Sequence, residues 1–110
     1  MSFATYDGIS IQPFNPGAGA TVSLDTSKYS FFQWTPGEAE TINATTGGRA
    51  GQVIRVQILT SGVSSFNLTF STNFLATGVL ATGTTTAKTF QLTFVSDGTK
   101  FVEQSRTAAM

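Results

Sequence analysis

Residues 87–106 read AKTFQLTFVSDGTKFVEQSR, and this stretch decides the fold class. Phe90, Leu92 and Phe94 alternate with Thr89, Gln91 and Thr93, so an extended segment here has one apolar side and one uncharged polar side. Asp97-Gly98 follows, a dipeptide that accepts successive positive φ angles and closes a tight turn in step with strand twist. A two-residue loop at that point sets Ser96 opposite Thr99 and Phe94 opposite Phe101. Phe90, Leu92, Phe94 and Phe101 are then each worth about 1.5–3 kcal/mol on burial, and the hairpin is expected to anchor the core. Glu103 breaks the pattern, because in this register it faces Leu92 from the apolar side. A rim position is expected, while a bulge, a strand that has left the core, or a pairing with Arg55 or Arg106 would each explain it.

The same signals recur upstream. Residues 6–14 hold Ile9 and Ile11 in alternation with Ser10 and Gln12, up to Pro13. Residues 21–24 turn Val22 and Leu24 inward, and residues 25–28, DTSK, read as a turn. Residues 29–34, YSFFQW, place Tyr29 and Phe31 on one face and Phe32 and Trp34 on the other. In a two-layer sandwich one face meets the core, and the second must find either a loop or another subunit. Pro36-Gly37 ends that strand, and residues 39–44 have Ile42 as their main apolar residue.

Residues 45–51, TTGGRAG, are a loop by composition. Residues 52–60, QVIRVQILT, turn Ile54, Val56 and Ile58 inward with Arg55 and Gln57 outward. Together with residues 65–70, SFNLTF, they are expected to form a second hairpin. A short strand is expected around Val79 and Leu80, and residues 107–110 form a tail with nothing of their own to hold it. Eight or nine short strands separated by turn signals, with no 3.6-residue periodicity, predict one all-β domain over residues 1–110. About eight antiparallel strands in a β-sandwich of the jelly-roll kind fit this length, with no substantial helix; a closed barrel is the second possibility.

Composition bounds the chemistry. Among 110 residues only 11% are charged, against about 25% in ordinary soluble domains, and the formal net charge is zero. Neither nucleic acid nor a membrane surface is expected as partner, since no long-range field draws either. No basic-then-apolar leader and no apolar run of about 20 residues occurs, so synthesis in a host cytoplasm is the expectation. A surface wetted by Thr, Ser, Asn and Gln suits a protein packed against others.

The chain has no histidine and no cysteine, which removes the commonest general base and the thiol nucleophile. Its six carboxylates are Asp7, Asp25, Glu38, Glu40, Asp97 and Glu103. The three aspartates sit where turns use them, and Glu38 and Glu40 flank a strand start. Neither catalysis, a metal site nor a cofactor is expected. Asn43-Ala44-Thr45 and Asn67-Leu68-Thr69 match the glycosylation pattern but follow no secretion signal. Gly47-Gly48-Arg49-Ala50-Gly51 lacks the ending and the helix of a phosphate loop.

Four pieces of the second half, Gly51-Gln52-Val53-Ile54, Phe66-Asn67-Leu68-Thr69-Phe70, Phe90-Gln91-Leu92-Thr93-Phe94 and Asp97-Gly98-Thr99-Lys100-Phe101-Val102-Glu103-Gln104-Ser105-Arg106, together resemble a known module. It is a β-rich module of tailed-bacteriophage virion proteins, found in tail-fibre and spike tips and in small head-surface proteins. The likeness covers about residues 50–106, with Phe101 standing where a Trp is usual. It implies a structural role without catalysis.

Because 110 residues leave no room for a shaft and an attachment domain, the chain is expected to be like the capsid decoration (cement) proteins. The implied partners are the major capsid protein and further copies of the chain, as a homodimer or homotrimer, on the outer surface of the virion capsid. Tyr29, Phe31, Phe32 and Trp34 are then expected to seal subunits or shell, with Arg49, Arg106 and Met110 as contacts from the Gly-rich loop and the C-terminal tail. A receptor-binding tip that exposes Trp34 or Tyr6 to a glycan is the alternative, and a polysaccharide-degrading appendage is a third possibility.

Overall fold

A computed structural model of the chain describes residues 13–110. The strand expected over residues 6–14, with Ile9 and Ile11, and the candidate Tyr6 therefore lie largely outside the described residues. Nine strands follow one another: β1 (Thr21–Leu24), β2 (Phe31–Trp34), β3 (Glu40–Ala44), β4 (Val53–Leu59), β5 (Asn67–Phe70), β6 (Phe74–Leu75), β7 (Leu80–Ala81), β8 (Thr89–Ser96) and β9 (Phe101–Arg106). No helix occurs among the described residues.

The strands form two sheets, ordered β1-β3-β5-β7 and β2-β4-β8-β9-β6. From β1 to β8 the chain changes sheet at every connection, and over β1 to β5 it winds as a coil in which β2, β3 and β4 are each the crossover between two parallel neighbours. Parallel pairing needs such a crossover, usually a helix, and here a strand of the opposite sheet supplies it. β1 with β3, β3 with β5, β2 with β4, and β6 with β9 all run parallel. Only β4 with β8, β5 with β7, and β8 with β9 are antiparallel. The antiparallel expectation is thus corrected at four pairings, and parallel neighbours of this kind have no place in the Greek keys of a jelly roll. The hairpin expected between residues 52–60 and 65–70 is corrected too: β4 and β5 lie in different sheets, because residues 60–66 carry the chain across.

The inward faces of both sheets meet in one cluster. Val22 and Leu24 of β1, Ile42 of β3 and Leu68 of β5 face Phe32 and Trp34 of β2, Ile54, Val56 and Ile58 of β4, and the aromatics of β8 and β9. Alternation therefore sorted these side chains correctly, since a strand has only two faces.

The anchoring hairpin forms, with a different closure. Four residues, Asp97 to Lys100, join β8 to β9. Asp97 Oδ1 accepts the amides of Thr99 at 2.8 Å and Lys100 at 2.9 Å, and the Asp97 amide donates to Lys100 O at 3.0 Å. Gly98 supplies the positive φ, at 97°. Phe101 consequently faces Ser96, and Phe94 faces Glu103, with an irregularity between Thr93 and Phe94. Phe74 of β6 fills the space that a direct Phe94–Phe101 pair would have taken, its ring 4.9 Å from Phe94 and 6.1 Å from Phe101.

Candidate functional site

The most distinctive surface is the outer face of the five-stranded sheet. Side chains that alternate with the core set along β2, β4, β8 and β9 point outward, and strand pairing lines them up in rows. One row crosses four strands: Val53 of β4 faces Val95 of β8, Val95 faces Val102 of β9, and Val102 faces Leu75 of β6. The two ends of this apolar row are open to solvent, Val53 at 41% exposure and Leu75 at 56%. The next row holds Phe31, Arg55 and Thr93.

Beyond it lies an amide ladder of Gln33, Gln57 and Gln91. Gln33 Nε2 donates to Gln57 Oε1, and Gln57 Nε2 donates to Gln91 Oε1 at 3.2 Å. Side-chain amides bonded in series stiffen this face and leave it uncharged, and Arg55 is the one charged side chain within these rows. The face thus carries an apolar row at one end and polar amides at the other, with the row of Phe31, Arg55 and Thr93 between them.

The residues expected to bind partners divide into two groups. Phe32 and Trp34 are corrected to core residues, at 0% and 1% exposure, because the two-sheet coil turns their face inward. Arg106 is held by groups of its own chain. Its Nε and one terminal nitrogen each donate to Glu103 at 2.8 Å, and its guanidinium also donates to the carbonyls of Val79 at 3.1 Å and Gly78 at 2.9 Å. Glu103 in turn accepts the Thr77 amide at 2.9 Å and the Thr77 hydroxyl at 3.1 Å. Burial alone would raise the Glu103 pKa, but the bonds from Arg106 and Thr77 outweigh it and hold the carboxyl below its ordinary value.

Tyr29, Phe31, Arg49 and Met110 remain at the surface, in three places. Tyr29 stacks on Phe14, with ring centroids 3.8 Å apart, and Phe14 bonds to the edge of β2 on both sides of Phe32. The chain itself thus covers part of the aromatic segment. Phe31 lies half-buried in the row of Arg55. Met110 is exposed, but its backbone exchanges hydrogen bonds with Thr89, and Thr107 bonds to Gln91. The free tail expected over residues 107–110 is therefore corrected, since it extends the β9 side of the β8 ladder.

Arg49 sits in the loop between β3 and β4, whose glycines let it fold onto the β8–β9 turn. The Gly51 amide donates to Ser96 O at 2.8 Å, and Ser96 Oγ donates to Gly47 O at 2.5 Å. Gly48 has a φ of 78°, and a Cβ there would lie 2.6 Å from Phe101 Cζ.

The carboxylates of the described residues are dispersed. Asp25 and Asp97 cap their own turns, Glu40 lies in the core, Glu103 holds Arg106, and Glu38 is exposed beside β3. Among the described residues no three His, Cys, Asp or Glu side chains come together as a metal ion would need. Protein-family models, curated proteins and solved structures give no match to this chain.

Strand periodicity turned Arg55 and Gln57 outward but left Val53 and Val95 unassigned. What it lacked was the pairing that sets Val53, Val95, Val102 and Leu75 side by side.

Proposed function

We propose that this chain is a bacteriophage capsid decoration protein. It docks the outer face of its five-stranded sheet on the major capsid protein and stabilises the shell from outside. The observation that carries the proposal is the apolar row from Val53 to Leu75, exposed at both ends, on a sheet face that also bears the glutamine ladder and has Arg55 as the one charge in these rows. Support also comes from the sequence, since the pieces that resemble virion modules form β4, β5, β8 and β9. A sandwich-like pair of sheets, without the jelly-roll path, is the body that presents the face. Tyr29 and Phe31, at the β2 side, extend it toward a second copy in a homodimer or homotrimer on the virion surface.

A ligand that binds only the assembled shell stabilises it by mass action, by about 2.7 kcal/mol per site at one hundred times the dissociation constant. Many weak copies therefore secure a shell without chemistry. The direct test adds purified protein to undecorated shells of the virus that encodes it, followed by sedimentation and thermal melting. Saturable uptake with a raised shell melting temperature is expected, and a lack of uptake overturns the proposal.

The receptor-binding alternative has less support, because Trp34, its expected sugar platform, lies in the core. Tight binding on a glycan array, with no uptake by shells, would replace decoration with recognition.

A further inference from the structure

The turn between β8 and β9 carries a chemical weakness in its own backbone. Glycine is needed after Asp97 because residue 98 takes a φ of 97°, yet an aspartate followed by glycine is the dipeptide most open to isomerisation. The Gly98 nitrogen attacks the Asp97 carboxyl carbon and gives up its proton, and water leaves from the carboxyl as a five-membered succinimide closes. Glycine offers no Cβ to hinder that attack. Water then reopens the ring at either carbonyl, restoring aspartate or leaving isoaspartate, in which a side-chain carbon has entered the main chain.

Both groups that must move for this step are held. The Gly98 amide donates to Ser96 Oγ at 3.0 Å, and Ser96 Oγ donates onward to Gly47 O at 2.5 Å. Ser96 is buried, its amide bonded to Gln52 O and its carbonyl to the Gly51 amide, each at 2.8 Å, so the hydroxyl has a fixed base. On the other side, Asp97 Oδ1 accepts the amides of Lys100 and Thr99, and ring closure has to break those bonds. The same two bonds, that of Lys100 foremost, hold the Asp97 carboxyl below its ordinary pKa of 3.8. The protonated carboxyl from which water departs is correspondingly scarcer at neutral pH. The Gly47 backbone also lies against that of Thr99, so the loop that receives the Ser96 hydroxyl braces the turn as well.

We infer that the Ser96 hydroxyl is a clasp that keeps Asp97-Gly98 from isomerising, which makes position 97 a modification site held shut by the fold. The inference is independent of the decoration role. Isoaspartate at this position would lengthen the main chain between β8 and β9. It would disturb the bond from the Asp97 amide to Lys100 O, and with it the closure that sets Phe101 opposite Ser96.

The test ages the full chain at neutral pH, at a raised temperature below its melting transition, and digests samples with trypsin. The peptide of residues 89–100 separates Asp97 from Asp7-Gly8, the other such dipeptide of the chain. Retention time and electron-transfer fragmentation distinguish its isoaspartate form. The folded chain should isomerise at position 97 about tenfold or more slowly than the same chain unfolded in guanidinium chloride, since ring closure breaks several hydrogen bonds. Ser96→Ala, aged while folded, should isomerise about threefold or more faster than wild type, as for loss of one such bond. Glu40→Leu keeps the clasp, and at equal unfolding free energy it should isomerise more slowly than Ser96→Ala. Equal rates in folded and unfolded wild type, a wild-type rate in Ser96→Ala, or a Glu40→Leu rate matching that of Ser96→Ala each overturns the inference.

Discussion

The indole N–H of Trp34 donates to Oε1 of Glu40 over 2.8 Å, with both side chains buried. Trp34 ends β2 in one sheet and Glu40 opens β3 in the other, so this bond ties the sheets together where the chain crosses between them. The other carboxyl oxygen accepts the Gly19 amide at 3.1 Å. A buried donor stripped of its acceptor costs about 1–3 kcal/mol. Glu40→Leu should lower unfolding stability by at least that range in urea titrations, and Glu40→Gln, which keeps an amide oxygen, should lower it less. Wild-type stability in Glu40→Leu would show that the bond contributes nothing.

Acid should weaken the clamp between Glu103 and Arg106. The folded-state pKa of Glu103 is depressed below its ordinary 4.5, so its contribution is fully present above that pH and is lost as pH falls through the lower folded value. The stability difference between wild type and Glu103→Gln should therefore be largest near neutrality and shrink below pH 4.5. Chemical unfolding of both proteins across pH 3–7 measures it, and a constant difference would contradict the depressed pKa.

Glycine is required at position 47 and dispensable at position 37. A Cβ on Gly47 would overlap the Thr99 carbonyl oxygen, backbone against backbone, whereas one on Gly37 meets nothing. Gly47→Ala should cost about 1–3 kcal/mol or more by overpacking, and Gly37→Ala should stay within about 0.5 kcal/mol of wild type. Paired thermal melts check both.

The apolar row should matter for binding and little for folding. Val53→Thr keeps a β-branched side chain, and Leu75→Thr changes an exposed one, so each should shift stability by no more than about 0.5–1 kcal/mol. Together they should reduce uptake by undecorated shells about tenfold or more if the row is the contact core. Unchanged uptake by the double variant would move the contact to another surface.

Several features were legible before any tertiary information. Alternation at Val22 and Leu24, at Ile54, Val56 and Ile58, and at Phe90, Leu92 and Phe94 assigned the inward faces correctly, and Asp97-Gly98 marked the final turn. The closure of that turn was not legible, because the Asp97 side chain captures two amides and lengthens the loop to four residues, which moves Phe101 from Phe94 to Ser96. In YSFFQW both faces looked apolar, so the pattern alone did not choose which would be buried. The two-sheet coil made that choice, with Trp34 bonded to Glu40 on the inner side and Tyr29 stacked on Phe14.

The linear order of residues by itself determined that this protein is made of short strands, which side of most strands is dry, and how little charge its surface carries. Only the tertiary structure decided which strands are neighbours and in which direction they run. A period of two identifies a face without naming a partner, and the choice between a hairpin and a crossover depends on whether a linker such as residues 60–66 turns back or passes to the other sheet. The candidate contact face exists at that second level alone, since Val53, Val95, Val102 and Leu75 become a row only once β4, β8, β9 and β6 lie side by side.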